Sequence, residues 1–301
     1  MSSTRAEYVA VAVCNIAVFP VCLPLYLLVL WNFATKKEFK GILAYHLMLS
    51  MGAMDCLYLL SGFQAGLMSL CRSEFFPAFS QIGSIVRFGY LTAVPIFTFL
   101  LALNRLIIIL RLPKSAVSDL AFKILVIGTL ILVFAFPILL MIAVPSVTIA
   151  YTLQFHGYVY YASALFNTVW VNIQVTLELL SLCGYFLIAI AIKKIFHTSF
   201  KISSMEVLLI VQGFLLTVPL TIVNLIGWRG NHHIMAGRAI YLCWALLAAL
   251  VPAINLSVYV GFNPFVRSHL VSAIFRKGEQ NPSLFIRSNG VTSATQRENK
   301  F

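Results

Sequence analysis

Charge is what this chain lacks most. Of its 301 residues, 10% are Asp, Glu, Lys or Arg and only nine are acidic, while 61% are hydrophobic and the mean hydropathy is +0.95. A soluble domain is closer to half apolar and about a quarter charged. The composition therefore excludes a soluble core and implies an integral membrane protein. Cysteine is scarce too: Cys14, Cys22, Cys56, Cys183 and Cys243 fall in apolar stretches, and Cys71 stands alone in a connecting segment. That excludes a disulfide framework. There is no P-loop, no H-E-x-x-H and no G-x-S-x-G. The histidines are scattered, whereas a metallohydrolase needs several His or Asp ligands in one place. An enzyme is disfavoured, and neither a metal nor a cofactor is expected.

Long apolar runs are plentiful. A helix needs roughly twenty apolar residues to cross about 30 Å of hydrocarbon. Seven windows qualify: Tyr8–Ala34, Ile42–Leu67, Ile82–Leu110, Leu120–Pro145, Ser163–Ile192, Met205–Gly227 and Ala239–Phe262. With the N-terminus outside, the cytoplasmic side receives Lys36, Lys37, Lys40, Arg105, Arg111, Lys114, Lys123, Lys193, Lys194, Lys201 and the six basic residues from Arg267 to Lys300. That is 16 of 21, so the positive-inside rule predicts an extracellular N-terminus and a cytoplasmic C-terminus. The same bias, facing anionic inner-leaflet lipid, accounts for the net charge of +12 without a nucleic-acid site. No cleavable leader is expected; the first span acts as its own signal.

The few charges inside the spans are costly and therefore informative. Arg105, in LALNRLIIILRLP, follows Arg87 by eighteen residues, which is five helical turns. Both arginines therefore share one face of helix three, about 27 Å apart along its axis, and that face looks into the bundle. The alternative for Arg105 is snorkelling to the headgroups. Asp55 sits mid-span in LSMGAMDCLYLL, where a carboxylate must be hydrated or paired. Asn255 lies at similar depth in helix seven, with Tyr259 one turn further on the same face. Glu178 in helix five is the other buried acid, either paired with Arg87 or leaving Arg87 to an anionic ligand. Pro20, Pro24, Pro95, Pro137, Pro219 and Pro252 interrupt the spans and free carbonyls that neighbours must satisfy.

Taken in order, these residues resemble the rhodopsin-like G-protein-coupled receptors. Asp55 stands in a motif similar to L-x-x-A-x-A-D-L-L. Asn104-Arg105-Leu106 matches the acid-Arg-aromatic triplet at its arginine, and Asn255 to Tyr259, followed by Phe265, is similar to N-P-x-x-Y and the phenylalanine after it. Tyr185 matches the tyrosine near the cytoplasmic end of helix five. The family implies an all-α seven-helix bundle with a short amphipathic eighth helix over Phe265–Lys277. The expected organisation is an extracellular segment 1–7, a helical domain 8–277 and a disordered cytoplasmic tail 278–301. The departures are specific. Asn104 replaces the acid, Leu256 the proline after Asn255, and the cysteine pair joining helix three to the second outer loop is missing. Such divergence resembles the nematode serpentine chemoreceptors, with class V as the candidate subfamily.

The resemblance implies a receptor in the plasma membrane of a sensory cell. It would bind a small molecule in the outer half of the bundle and activate a heterotrimeric G protein at the cytoplasmic face. Arg105 would line the cavity that receives the G protein, supported by Tyr185 and Tyr259, with Asn104, Asn255 and Glu206 completing the switch. Asp55 and Asn255 would form the buried polar core. Arg87, Tyr90, Tyr158, Glu178 and Tyr241 would face the ligand, under a cap formed by YTLQFHGYVYYA. Arg87 stands where amine receptors carry an aspartate, so a neutral or anionic ligand is preferred. No lysine occurs between Lys201 and Lys277, so a retinal Schiff base on helix seven is excluded. A transporter, a channel or a non-signalling scaffold is the alternative; the first two would show repeats or a charged pore.

Overall fold

A computed structural model describes residues 5–37, 39, 42–110, 116–143, 148–152, 157–161, 164–196, 204–232 and 238–275. The expected tail 278–301 lies outside the described residues. Eight helices follow in order: α1 (Arg5–Thr35), α2 (Leu43–Cys71), α3 (Pro77–Ile109), α4 (Ala116–Ala143), α5 (Ala164–Phe196), α6 (Ser204–His232), α7 (Arg238–Phe262) and α8 (Pro264–Phe275). The first seven contain stretches long and apolar enough to cross a membrane. Leu, Ile and Val side chains stand exposed along α4 and α5, among them Ile124, Ile131, Leu139, Ile142, Leu179 and Leu187. Water does not tolerate such continuous apolar faces, but hydrocarbon does. The protein is a multi-pass membrane protein built as a helical bundle.

Antiparallel succession puts the start of α1 at one end with the last turns of α2, α4 and α6 and the first turns of α3, α5 and α7, and puts α8 at the other end. Between α4 and α5 the chain forms two strands, β1 (Thr148–Thr152) and β2 (Gly157–Tyr161), paired antiparallel with Thr148 opposite Tyr161 and Thr152 opposite Gly157. The expected irregular cap is thus a hairpin, and its presence qualifies the all-α expectation. Tyr158 and Tyr160, two residues apart, fit the two-residue period of a strand in β2. Hydrogen bonds anchor the hairpin where no cysteine pair is available. The Tyr151 hydroxyl meets Ser69 Oγ at 2.5 Å, the Tyr151 N–H donates to Ser80 Oγ at 3.1 Å, and the Tyr158 hydroxyl donates to the Ser61 carbonyl at 3.1 Å. Tyr158 and Gln64 both press against Gly83, where any Cβ would collide with them.

Proline shapes α3 and α7. Pro95 has no N–H for the Leu91 carbonyl and Pro252 none for the Ala248 carbonyl, four residues earlier in each case. Side chains from neighbouring helices supply the missing donors. Gln174 Nε2 on α5 donates to Leu91 O at 2.9 Å, and the Tyr58 hydroxyl on α2 donates to Ala248 O at 3.0 Å. Each bridge fixes one helix against another at its weakest turn. Asn263 ends α7 and starts α8: its Oδ1 accepts the N–H groups of Phe265 and Val266, both at 3.2 Å, with Pro264 in the first helical position.

Candidate functional site

Asp55 is 1% exposed at the centre of the bundle. Three helices donate to its carboxyl group: Tyr26 from α1 to Oδ2 at 2.9 Å, Tyr90 from α3 to Oδ1 at 3.0 Å, and Asn255 Nδ2 from α7 to both oxygens at 3.2 Å. A buried acid survives in such a place because its oxygens are bonded. The Tyr26 hydroxyl also lies 2.7 Å from the Pro252 carbonyl, so one hydrogen serves two acceptors. This network ties four helices together at one depth. Asn255 is a partner of Asp55, as its depth in helix seven suggested. Tyr90, expected to face a ligand, belongs to the same network and is 1% exposed. Its ring packs on Tyr58, with centroids 4.1 Å apart.

Arg87 lies toward the hairpin end. Its guanidinium stacks over the Tyr58 ring, 3.6 Å from the centroid. The alternative pairing with Glu178 is not formed. Glu178 is fully buried and receives Asn224 Nδ2 from α6 on Oε1, while Oε2 has no hydrogen-bond partner. The two charges lie at different levels: Gln174 sits level with Leu91, one turn deeper than Arg87, and Glu178 follows a turn deeper still. Tyr158 is held in the hairpin, donating to α2. Tyr241 belongs to α7, but its side chain lies outside the described residues.

At the α8 end, Arg105 is 3% exposed and Asn104 5%. Arg105 therefore does not snorkel. Its Nε and Nη2, which form one edge of the guanidinium, have no hydrogen-bond partner, and neither has Asn104 Oδ1. Tyr185 on α5, Tyr45 on α2 and Glu206 in the first turn of α6 lie within electrostatic reach of the guanidinium. Among the described residues Glu206 forms no ion pair with Arg105 and acts on it only through its charge. The Tyr185 hydroxyl has no partner and rests against Gly213 of α6, at a spot where a Cβ would overlap it. Tyr259 is buried and its hydroxyl has no hydrogen-bond partner. Its ring meets Tyr26 and Phe33 of α1 edge-on at 6.2 and 5.9 Å, beside Asp55. The seven candidate switch and core residues thus divide into a group around Asp55 and a group around Arg105.

Sequence reasoning missed Tyr26, Tyr45, Tyr58, Gln174, Gln212 and Asn224. Gln212 is fully buried, and neither end of its amide has a partner. A signal existed for Tyr58 and Gln174, since a proline inside a span frees a carbonyl that a polar side chain of a neighbouring helix can meet. No protein-family model matches this chain, and no curated protein matches it.

Proposed function

We propose that the protein is a G-protein-coupled chemosensory receptor. In this reading the N-terminus and hairpin face outside, α8 lies along the cytoplasmic surface, and the chain resides in the plasma membrane of a sensory cell. A small molecule, neutral or anionic, enters near Arg87 beneath the hairpin. A heterotrimeric G protein engages the opposite end around Arg105. The observation that carries the reading is the buried Arg105 guanidinium, held among α2, α3, α5 and α6 with no paired acid. Keeping such a charge there is costly and calls for a use.

The contacts that lead inward from Arg87 run through α7 as far as Asp55 and Asn255. Arg87 rests on Tyr58, Tyr58 holds the open turn above Pro252, and the Pro252 carbonyl reaches Tyr26 and so Asp55 and Asn255. An anion drawing Arg87 off Tyr58 changes the support of the α7 kink. That supplies the differential contact an allosteric transition requires. The test is energy-transfer recruitment of a G-protein panel to the expressed chain, with mixed bacterial and small-metabolite extracts as ligand sources. Recruitment that GTP reverses and Arg105→Ala abolishes supports the receptor. Extract-dependent solute flux without recruitment refutes it in favour of a transporter.

A further inference from the structure

We propose that Arg105 is the centre of an internal binding site for a small inorganic anion such as chloride. The inference stands on side-chain geometry and does not depend on the receptor reading. Arg105 is 97% buried by its 3% exposure, and its unpartnered atoms are the two donors of a single guanidinium edge, Nε and Nη2. That edge is the arrangement with which arginine grips an anion side-on. Two tyrosines lie within electrostatic reach of the same charge, Tyr185 on α5 and Tyr45 on α2. Both hydroxyls have a hydrogen to give. Tyr185 has no partner, and Tyr45 takes part only as acceptor, from Asn263 Nδ2 at 3.4 Å.

The local inventory is therefore one full positive charge and four O–H or N–H groups that donate to nothing among the described residues; the unpaired amide oxygen of the adjacent Asn104 bonds none of them. The acids do not correct the imbalance. Asp55 is engaged by Tyr26, Tyr90 and Asn255, and Glu178 by Asn224. Glu206, half-buried in the first turn of α6, lies within electrostatic reach but forms no ion pair with the guanidinium among the described residues, and position 104, beside the arginine, carries an amide. A buried ion without a counter-charge is strongly disfavoured, so an ion from solution completes the site. The apolar surroundings favour a small one, since Leu101 and Ile109, one turn to either side of Arg105 on α3, and Ile188 on α5 are buried.

The experiment uses the full chain in discs of zwitterionic phosphatidylcholine, where no lipid headgroup carries net negative charge. Thermal unfolding is followed while chloride replaces gluconate at constant ionic strength. The expected result is a saturable rise in Tm of about 2–4 °C. Arg105→Gln should abolish the rise. Asn104→Asp, which supplies the negative charge within the chain, should also abolish it and should melt in gluconate near the temperature the wild type reaches in chloride. A chloride rise of equal size in all three proteins is a general salt effect and overturns the proposal. So does identical melting of the wild type in the two salts, which would assign these donors to water. A rise produced by anionic lipid but not by chloride would assign the charge to a headgroup and also overturn it.

Discussion

The hydroxyl of Tyr58 on α2 donates at 3.0 Å to the carbonyl of Ala248 on α7, the carbonyl that Pro252 leaves without its helical partner. The same tyrosine carries the Arg87 guanidinium on its ring. One side chain thus closes a gap in α7 and holds a charge at the hairpin end. Tyr58→Phe keeps the ring and removes the donor, leaving a buried carbonyl unpaired. The expected cost is about 1–3 kcal/mol of stability, with faster amide exchange in the turn around Pro252. Hydrogen exchange on the protein in lipid discs reads this; unchanged protection across α7 would show that the bond does not hold the turn.

Gln174 and Pro95 make a reciprocal pair, because the proline creates the open carbonyl of Leu91 that the glutamine fills at 2.9 Å. Gln174→Leu should lower stability by about 1–3 kcal/mol in the wild type. In the Pro95→Ala background an N–H returns to close the helix, and the same substitution should cost much less. The double-mutant cycle measures the difference directly. Equal costs in both backgrounds would separate the two residues.

Gly213 leaves the space that the Tyr185 hydroxyl occupies. Gly213→Ala should displace that ring and destabilise the protein by about 1–3 kcal/mol, as overpacking does. Adding Tyr185→Phe removes the atom that clashes most and should recover part of the loss. Thermal melts of the single and double variants decide; a neutral Gly213→Ala would mean that α6 and the tyrosine move apart freely.

Arg87→Ala should weaken the response to an anionic ligand by an order of magnitude or more if the guanidinium meets the ligand. This follows from the strength of a charge-assisted pair, about 1.5–3 kcal/mol. The measurement is the dose–response curve at matched surface expression, and an unaltered curve would remove Arg87 from the site. Asn104→Asp should lower basal signalling by restoring a negative partner beside Arg105. A basal signal that stays level or rises would sink that prediction.

Much of the bundle was legible because apolar length is a strong signal: every expected window lies within, or within two residues of, one of the seven long helices. The depth of Asp55 and Asn255 along their helices was enough to bring them together. Direction around a helix axis was less accessible. Tyr90 and Arg87 lie three residues apart on α3, yet one turns to Asp55 and the other to Tyr58. Their partners come from α2, and sequence spacing within α3 says nothing about which neighbour α2 presents. Glu178 went the same way, because its partner Asn224 is set by the approach of α6. The hairpin was missed because five-residue strands between long spans carry little weight beside the surrounding apolar runs. The spacing of Tyr158 and Tyr160 was visible all the same.

The central claim is that the end of the bundle around Arg105 activates a G protein, and guanine-nucleotide exchange in a purified system tests it most directly. The protein in lipid discs is mixed with purified heterotrimers of each coupling class, with active extract fractions, and exchange is timed against Arg105→Ala. A G-protein-activating receptor gives accelerated exchange on one class with the wild type and background exchange with Arg105→Ala. Equal exchange with both proteins, or background exchange on every class while a control receptor is active with its own ligand, would contradict it.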